Sequence, residues 1–155
     1  MRLQLHRVGI TDAEKLWVMK VDAFRDLYEI YQDEETSPHK EKLEKTIMRL
    51  EQSFTYYYYI VVDDVTVGAI RVVDLKNEEP KRISPIFIMK EHRNKGYAQK
   101  AIEKAEEIHG PENWELETIL QEKGNCYLYE KMGYKKTGKT LVVNDKLTLV
   151  FYKKD

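Results

Sequence analysis

A short glycine-containing turn stands where an apolar segment gives way to a helical pattern. Residues 86–89 are apolar, and the turn Arg93-x-x-Gly96-x-Ala98 follows them. The first amides of a helix have no acceptor within the helix and carry partial positive charge, so this turn could bind a phosphate through its main chain. Gly96 permits a close approach or a positive φ, and Arg93 and Lys95 add formal charge. On its own the pattern is weakly specific, and an ordinary strand–turn–helix corner is the alternative.

A second segment completes a resemblance to a known family. Residues 125–134, further along the chain, read Asn-Cys-Tyr-Leu-Tyr-Glu-Lys-Met-Gly-Tyr. Together the two segments resemble the signature of the GNAT N-acetyltransferase superfamily. There an apolar strand leads into an Arg/Gln-x-x-Gly-x-Gly/Ala turn, and an Asn-x-x-x-Tyr-Glu-Lys-x-Gly-Tyr/Phe segment follows the next strand. The likeness is strongest over residues 83–134. Lys90 and His92 replace the proline and the aromatic residue often found before the arginine, and Ala98 stands where glycine is common.

The resemblance implies that acetyl-CoA is the co-substrate. The backbone of Phe87 and Ile88 would pair with the pantetheine arm as an added strand, and amides there would polarise the thioester carbonyl in the manner of an oxyanion hole. Asn125 would contact the arm or fix the start of a short helix. No metal is expected, because the four histidines are scattered without paired ligand spacing. The amides that hold the pyrophosphate would be those of Arg93, Asn94, Lys95, Gly96, Tyr97 and Ala98.

Two side chains are candidates for catalysis. An attacking amine expels a thiolate, and a thiol has an unperturbed pKa of about 8.5 against about 10 for a phenol. Tyr129 would therefore be protonated and able to donate a stabilising hydrogen bond or a proton to the sulfur; a core tyrosine is the alternative. Glu117, on a strand predicted over 113–121, is the candidate general base. A solvated strand carboxylate is its alternative, Asp74 ends the preceding strand, and members of the family often use a water chain instead.

The resemblance thus implies an N-acetyltransferase that moves the acetyl group of acetyl-CoA to a primary amine of a small molecule or peptide, by direct transfer in a ternary complex. A non-catalytic acyl-CoA-binding or regulatory module with the same fold is the alternative. Asp33, Glu34 and Glu35 could form an acidic rim for a cationic amine, although a charged loop is usually only solvated.

The elements that must position these residues follow from periodicity and turn signals. Four tyrosines at 56–59, with the apolar residues 60–62, predict a strand covered on both faces. Apolar residues spaced helically over 98–108 predict a helix that ends near Gly110. The order βααβββαβαββ predicts an α+β fold, a mostly antiparallel mixed sheet of about six to seven strands with helices on both faces. This layout is similar to that of the GNAT fold, in a single domain over residues 1–155.

Local signals predict where the first two helices begin. Thr11 and Glu14 match a capping box, and the apolar spacing behind them predicts one long helix that reaches Tyr31. Ser37 directly before Pro38 predicts the N-cap of the second helix.

One proline falls inside a predicted strand. Pro85 has no N–H to donate to a ladder, so it predicts a bulge or an unpaired edge in the strand over 81–90. A bulge there would help to separate this strand from the one at 113–121 and open the slot for the pantetheine arm.

Composition narrows the class of protein. The 155 residues are 42% hydrophobic, enough for one domain with a core. The formal net charge of −1 argues against a nucleic-acid binder, whose affinity rests on a basic surface. No apolar run reaches the roughly 18 residues of a membrane span, and no signal peptide is recognised, so we expect a cytoplasmic protein, a monomer or homodimer. The single cysteine, Cys126, excludes an internal disulfide.

Overall fold

One open sheet of seven strands carries five helices within residues 2–155, the part of the chain that the computed structural model describes. The strand order is β1-β2-β3-β4-β5-β7-β6, and every neighbouring pair is antiparallel except β4 and β5. The predicted α+β fold with a mostly antiparallel mixed sheet is confirmed. The strands are β1 (Leu3–Arg7), β2 (Thr55–Val62), β3 (Val65–Val73), β4 (Lys81–Ile88), β5 (Trp114–Ile119), β6 (Lys135–Val142) and β7 (Thr148–Lys154), and the helices are α1 (Ala13–Ala23), α2 (Arg25–Tyr31), α3 (Leu43–Glu51), α4 (Tyr97–His109) and α5 (Lys123–Lys131).

The tyrosine-rich strand β2 is covered on both faces, as predicted. Successive side chains of a strand point to opposite faces, so its residues divide between two apolar cores. Tyr58 and Ile60 pack in the core that α4 and α5 cover, whereas Tyr57 and Tyr59 pack in the core under α1 and α3. The sheet is therefore the middle of three layers, and its central strands are fixed from both sides.

The strands β4 and β5 stay paired over two positions only. Lys81 lies opposite Trp114 and Arg82 lies opposite Glu115, and no further positions of the two strands are paired. The gap between the two strands beyond these pairs is called the fork below. Because it breaks the sheet at its centre, backbone polar groups of β4 stand free there instead of bonding to a neighbouring strand.

A bulge in β4 lies at the start of the fork. Ile70 of β3 lies opposite Ile86, but Val72 lies opposite Ile83, so β4 has one residue more than β3 over this stretch. The extra residue falls at the Ser84-Pro85 step, which confirms the bulge that Pro85 predicted. A bulge bends a strand and increases its twist, which turns β4 away from β5.

The first helical segment is broken, so the prediction of one long helix is wrong. Phe24 separates α1 from α2 with φ −95° and ψ 4°. At the break, Arg93 Nη2 donates a hydrogen bond of 2.7 Å to the Ala23 carbonyl, and the Phe24 ring packs edge-on against Phe87. These contacts come from residues distant in the sequence, and no local signal marks the break.

The predicted capping box is also wrong. Residues Ile10–Asp12 form a 3₁₀ turn ahead of α1, closed by the Asp12 amide on the Gly9 carbonyl at 3.0 Å. No side chain caps α1, so Thr11 and Glu14 do not play the roles that their spacing predicted. The main chain of the 3₁₀ turn replaces the side-chain cap.

Ser37 forms a cap, but not that of a helix. Its hydroxyl accepts the His39 amide at 3.2 Å at the start of a 3₁₀ turn, Pro38–Lys40. The chain then becomes extended at Glu41, whose carbonyl accepts a hydrogen bond of 2.8 Å from Trp17 Nε1. This contact with α1 separates the turn from α3, which begins only after it.

The C-terminal end of α4 carries a buried polar chain. His109 Nδ1 lies 2.8 Å from an Asp74 oxygen, and His109 Nε2 lies 2.8 Å from the Tyr58 hydroxyl. A neutral ring that donates to Asp74 and accepts from Tyr58 uses both nitrogens. Burial lowers the pKa of His109, and the Asp74 carboxylate offsets this only in part. Burial by itself would raise the Asp74 pKa, but hydrogen bonds from the Lys76 amide and from His109 hold it below its ordinary value.

We expect the protein to lose stability as the pH falls from about 7.5 to about 5.5, because the unfolded chain binds a proton on His109 at higher pH than the folded chain. The contribution of His109 to stability is present above its pKa of about 6.5 in the unfolded chain. It is lost as the pH falls through the lower pKa of His109 in the folded chain. Urea unfolding at the two pH values measures the loss of stability, with His109→Gln as the comparison. An equal loss of stability in His109→Gln would contradict its assignment to His109.

Candidate active site

Two cavities open at the fork and meet. The turn cavity, about 480 Å³, lies between the end of β4 and the start of α4. The fork cavity, about 190 Å³, lies between β4, β5, the α1–α2 break and the segment over residues 33–38. Residues that line both are Phe24, Leu27, Ile86, Asn125 and Tyr129. A molecule in one cavity therefore reaches a molecule in the other beside Asn125 and Tyr129.

The turn cavity is lined by the predicted phosphate-binding turn. Gly96 is the N-cap of α4 with φ 80°, in the left-handed region that favours glycine, and Asn94 has φ 65°. The first amide of α4 bonded within the helix is that of Lys100, to the Gly96 carbonyl. The amides before it are free of intrahelical acceptors and face the ligand side of the turn. Of the six predicted turn residues, Arg93, Asn94, Gly96, Tyr97 and Ala98 line the cavity, and the exposed Lys95 does not.

The guanidinium of Arg93 joins three elements. Nε donates to the Ile88 carbonyl at 2.8 Å, and Nη2 donates to the Ala23 carbonyl at 2.7 Å. Nη1 lies 3.9 Å from Asp26. The side chain thus ties the end of β4 to the α1–α2 break.

The register of β4 determines which of its peptide groups face the fork. The Met89 amide donates to the Val67 carbonyl opposite it at 2.7 Å, so this pair is hydrogen-bonded. Bonded and non-bonded pairs alternate along an antiparallel ladder, so the Phe87 peptide groups point to β3. Those of Ile86 and Ile88 point into the fork, and the Phe87 side chain packs in the core under α1.

Tyr129 stands at the junction of the cavities. Asn125 precedes it by four residues on α5, so both side chains lie on one face of the helix. Tyr129 is 7% exposed, and its ring packs against Tyr134 and Tyr152. Burial raises the pKa of Tyr129 to about 12, so its hydroxyl keeps its proton at neutral pH. None of the described residues hydrogen-bonds this hydroxyl.

Glu117 lies in the wall of the fork cavity, two positions beyond the last pair of β4 and β5. Arg82 holds it there, because Nη2 lies 3.2 Å from Glu117 Oε1 and Nη1 lies 3.2 Å from Glu115 Oε1. The other sequence candidate, Asp74, lines neither cavity and bonds to His109 instead. Of the two candidates, Glu117 is therefore the one that lines the fork cavity.

The acidic triplet does not form an acidic rim. Asp33 is buried and accepts the amides of Glu35 at 3.0 Å and Thr36 at 2.8 Å, together with the Thr36 hydroxyl. Glu34 accepts the Tyr28 hydroxyl and lies 3.5 Å from Lys40 Nζ. The alternative, a solvated loop, describes the exposed Glu34 and Glu35, whereas Asp33 is buried and bonds within its own turn.

Several wall residues of the fork cavity had no functional signal in the sequence. Phe24 and Leu27 reach the cavity because the first helix breaks between them and α1. Leu147 and Leu149 come from the last hairpin, distant from either motif. Only the packing of the α1–α2 break and β7 around the fork brings them to the site.

A buried ion pair fixes the segment that walls the fork cavity. The Lys20 side chain is 0% exposed, and its Nζ donates to Glu41 Oε1 at 2.7 Å and to the Thr46 hydroxyl at 3.0 Å. Burial lowers the pKa of Lys20, although Glu41 opposes this. Glu41 also lies 3.6 Å from Lys45 and 3.4 Å from Arg49. Residues 37–41 are thereby held on α1.

The sequence profile of the Acetyltransferase (GNAT) family matches residues 24–134, most of the chain. The chain therefore belongs to the GNAT acetyltransferase family, which confirms the resemblance of its turn and tyrosine segments. No curated protein sequence matches the chain at a significant level.

Solved structures with the same fold include three complexes of acetyltransferases. The PaiA N-acetyltransferase of Thermoplasma acidophilum with coenzyme A aligns with a TM-score of 0.72 and 16% identity over 100% of both chains. The spermidine N-acetyltransferase of Vibrio cholerae with CoA and spermine aligns with a TM-score of 0.73 and 17% identity, over 97% of this chain and 93% of that one. The microcin C7 self-immunity acetyltransferase MccE with acetyl-CoA and AMP aligns with a TM-score of 0.70 and 15% identity, over 97% of this chain and 90% of that one.

Within residues 2–155, no helix combines the length and the apolar character that crossing a membrane requires. Over the same range, no three His, Cys, Asp or Glu side chains gather as metal ligands.

We expect Glu41→Gln to destabilise the protein by about 3 kcal/mol, because it leaves the fully buried Lys20 cation without its charged partner. Lys20→Met is the matched comparison and should cost less, because it replaces the cation with an apolar chain while Glu41 keeps Lys45 and Arg49. Urea unfolding of both variants gives the two free energies. Equal losses of unfolding free energy in the two variants would show that the Lys20–Glu41 ion pair does not hold residues 37–41.

Proposed function

We propose that this protein is an N-acetyltransferase that moves the acetyl group of acetyl-CoA to a primary amine by direct transfer in a ternary complex. The observation that carries the proposal is that the turn cavity and the fork cavity meet at Tyr129 and Asn125. Two reactants bound side by side can react without a covalent enzyme intermediate, and holding them together lowers the entropic barrier.

Acetyl-CoA fits the turn cavity. The free amides at the start of α4 and the partial positive charge of the helix suit its pyrophosphate, which an added side chain at Gly96 would crowd. The pantetheine arm then follows the free edge of β4. The ladder register supports the Ile86 peptide groups and the Ile88 amide as the groups that pair with the arm, because the Phe87 peptide groups point to β3 and the Ile88 carbonyl accepts Arg93 Nε. This differs from the predicted pairing through Phe87 and Ile88.

The reaction forms a C–N bond at the acetyl carbonyl and breaks the C–S bond of the thioester. The Ile88 amide, directed into the fork, polarises the carbonyl and stabilises the oxyanion of the tetrahedral intermediate. Tyr129 donates its proton to the departing sulfur, because a phenol with a pKa of about 12 is protonated throughout the neutral range.

The amine must lose a proton before or during attack, and Glu117 is the proposed acceptor. Its Oε1 is held by Arg82, whereas none of the described residues hydrogen-bonds its Oε2. Oε2 is therefore available to hold the ammonium group and to take its proton, directly or through a water molecule.

The alternative is a non-catalytic acyl-CoA-binding or regulatory module. Such a module needs the turn cavity but not the fork cavity. Binding of acetyl-CoA without thiol release in the presence of any amine would favour it.

Tyr129→Phe should lower kcat about 100-fold, because it removes the proton donor from the junction of the cavities. The dissociation constant for acetyl-CoA should stay within about twofold, since the ring and its packing remain. Tyr127→Phe is the matched control, as Tyr127 is exposed on the same helix and lines neither cavity. A kcat within about twofold of the parent enzyme would show that Tyr129 is not the group that protonates the departing sulfur.

Gly96→Val should raise the dissociation constant for acetyl-CoA about tenfold or more, because a β-branched residue at φ 80° strains the turn and shifts its amides. Gly138→Val is the control: Gly138 has φ 94°, open space around it and a position on the exposed strand β6. Calorimetric titration of both variants tests the assignment. Unchanged affinity in Gly96→Val would remove the pyrophosphate from this turn.

A further inference from the structure

We propose that the acceptor is a compact monoamine with an apolar body of about one ring, and that polyamines and peptides are poor substrates. The inference rests on the proposed function and adds the class of amine. Three properties of the fork cavity carry it: its size, its apolar walls and its supply of free negative charge.

The fork cavity is small. Its volume is about 190 Å³, against about 480 Å³ for the turn cavity. An apolar cavity of about 150 Å³ holds one benzene molecule, so the fork cavity holds a ring and about two or three further atoms. Benzylamine and phenethylamine have this size, whereas a polyamine or a peptide would extend beyond the walls.

The walls of the fork cavity are apolar on several sides. Their apolar side chains come from the α1–α2 break, from the two strands of the fork and from the last hairpin. A hydrocarbon body gains free energy from contact with these apolar walls. The apolar wall residues are Phe24, Leu27, Ile83, Ile119, Leu147 and Leu149.

The cavity offers one carboxylate with a free oxygen. Asp33 lines the cavity but uses its oxygens for the Glu35 and Thr36 amides and the Thr36 hydroxyl. Arg82 contacts only Oε1 of Glu117 and also pairs with Glu115, so Oε2 of Glu117 stays free. One ammonium group can therefore pair with a carboxylate oxygen that is free. A second would find only Asp33, whose oxygens already accept three hydrogen bonds.

The outer wall also disfavours a second cation. Tyr28 lines the fork cavity, and Lys40 Nζ lies 5.1 Å from the centre of its ring. The same ammonium lies 3.5 Å from Glu34 and partly neutralises it. A long diamine leaving the cavity past this wall would meet a positive charge already in place.

The test compares two amines that differ by one charged arm: benzylamine and 1,4-bis(aminomethyl)benzene, with spermidine and a tripeptide as further acceptors. Thiol release gives kcat/KM for each, counted per amine group, and calorimetry gives the acetyl-CoA affinity. We expect kcat/KM for benzylamine to exceed that for the diamine and for spermidine by about tenfold or more.

Two variants connect the preference to the cavity. Glu117→Gln should raise KM for benzylamine and lower kcat/KM about tenfold or more, because the ammonium loses its counterion. Glu115→Gln is the matched control, since Glu115 bonds to the same Arg82 but does not line the cavity. It should stay within about threefold of the parent.

The outcomes separate the inference from the proposed function. Faster turnover of spermidine, the diamine or the tripeptide than of benzylamine overturns the monoamine inference and leaves the acetyltransferase standing. Acetyl-CoA binding without turnover on any of the four amines, or no binding at all, overturns the proposed function and the inference with it. Equal losses in Glu117→Gln and Glu115→Gln would also overturn the role of the fork carboxylate.

Discussion

The site depends on the parting of two strands in the middle of a sheet. β4 and β5 are joined by two residue pairs and then diverge, so the Ile86 and Ile88 peptide groups face the fork. Unpaired peptide groups are costly when buried, and they are retained where a ligand or water can complete them. Because β4 and β5 diverge, the sheet loses several hydrogen bonds between these strands. The exposed edge of β4 can then pair with an extended, strand-like ligand arm. The bulge at Pro85 turns β4 away from β5 at this point.

Three charged side chains shape the walls of the fork from within the protein. Arg93 ties the end of β4 to the α1–α2 break, Arg82 spans β4 and β5, and Lys20 binds Glu41 beneath the segment at 37–41. In each case the charge is used by a partner inside the chain. Residue type alone would assign such cations to a ligand, but each of the three also joins segments of the chain itself.

The predictions that succeeded concern features set over a few neighbouring residues. The turn at Gly96 requires a positive φ that glycine tolerates, and Asn125 and Tyr129 share a helix face because they are four residues apart. Proline at 85 cannot donate to a ladder, and the bulge follows. The predictions that failed concern the long first helix and its capping box. Propensity and spacing favoured both, but Arg93, seventy residues further along, holds the break at Phe24.

The sequence by itself determined the α+β order of elements, the glycine turn at the start of α4, and the tyrosine that stands on one helix face with Asn125. These depend on backbone sterics, hydrogen-bonding capacity and periodicity, which act over short stretches of chain. Only the tertiary structure decided which peptide groups of β4 face the fork, which carboxylate lines the fork cavity with a free oxygen, and that Asp33 accepts hydrogen bonds from its own turn. Ladder register, ion pairing and cavity shape arise when distant segments pack together, so no local pattern can encode them.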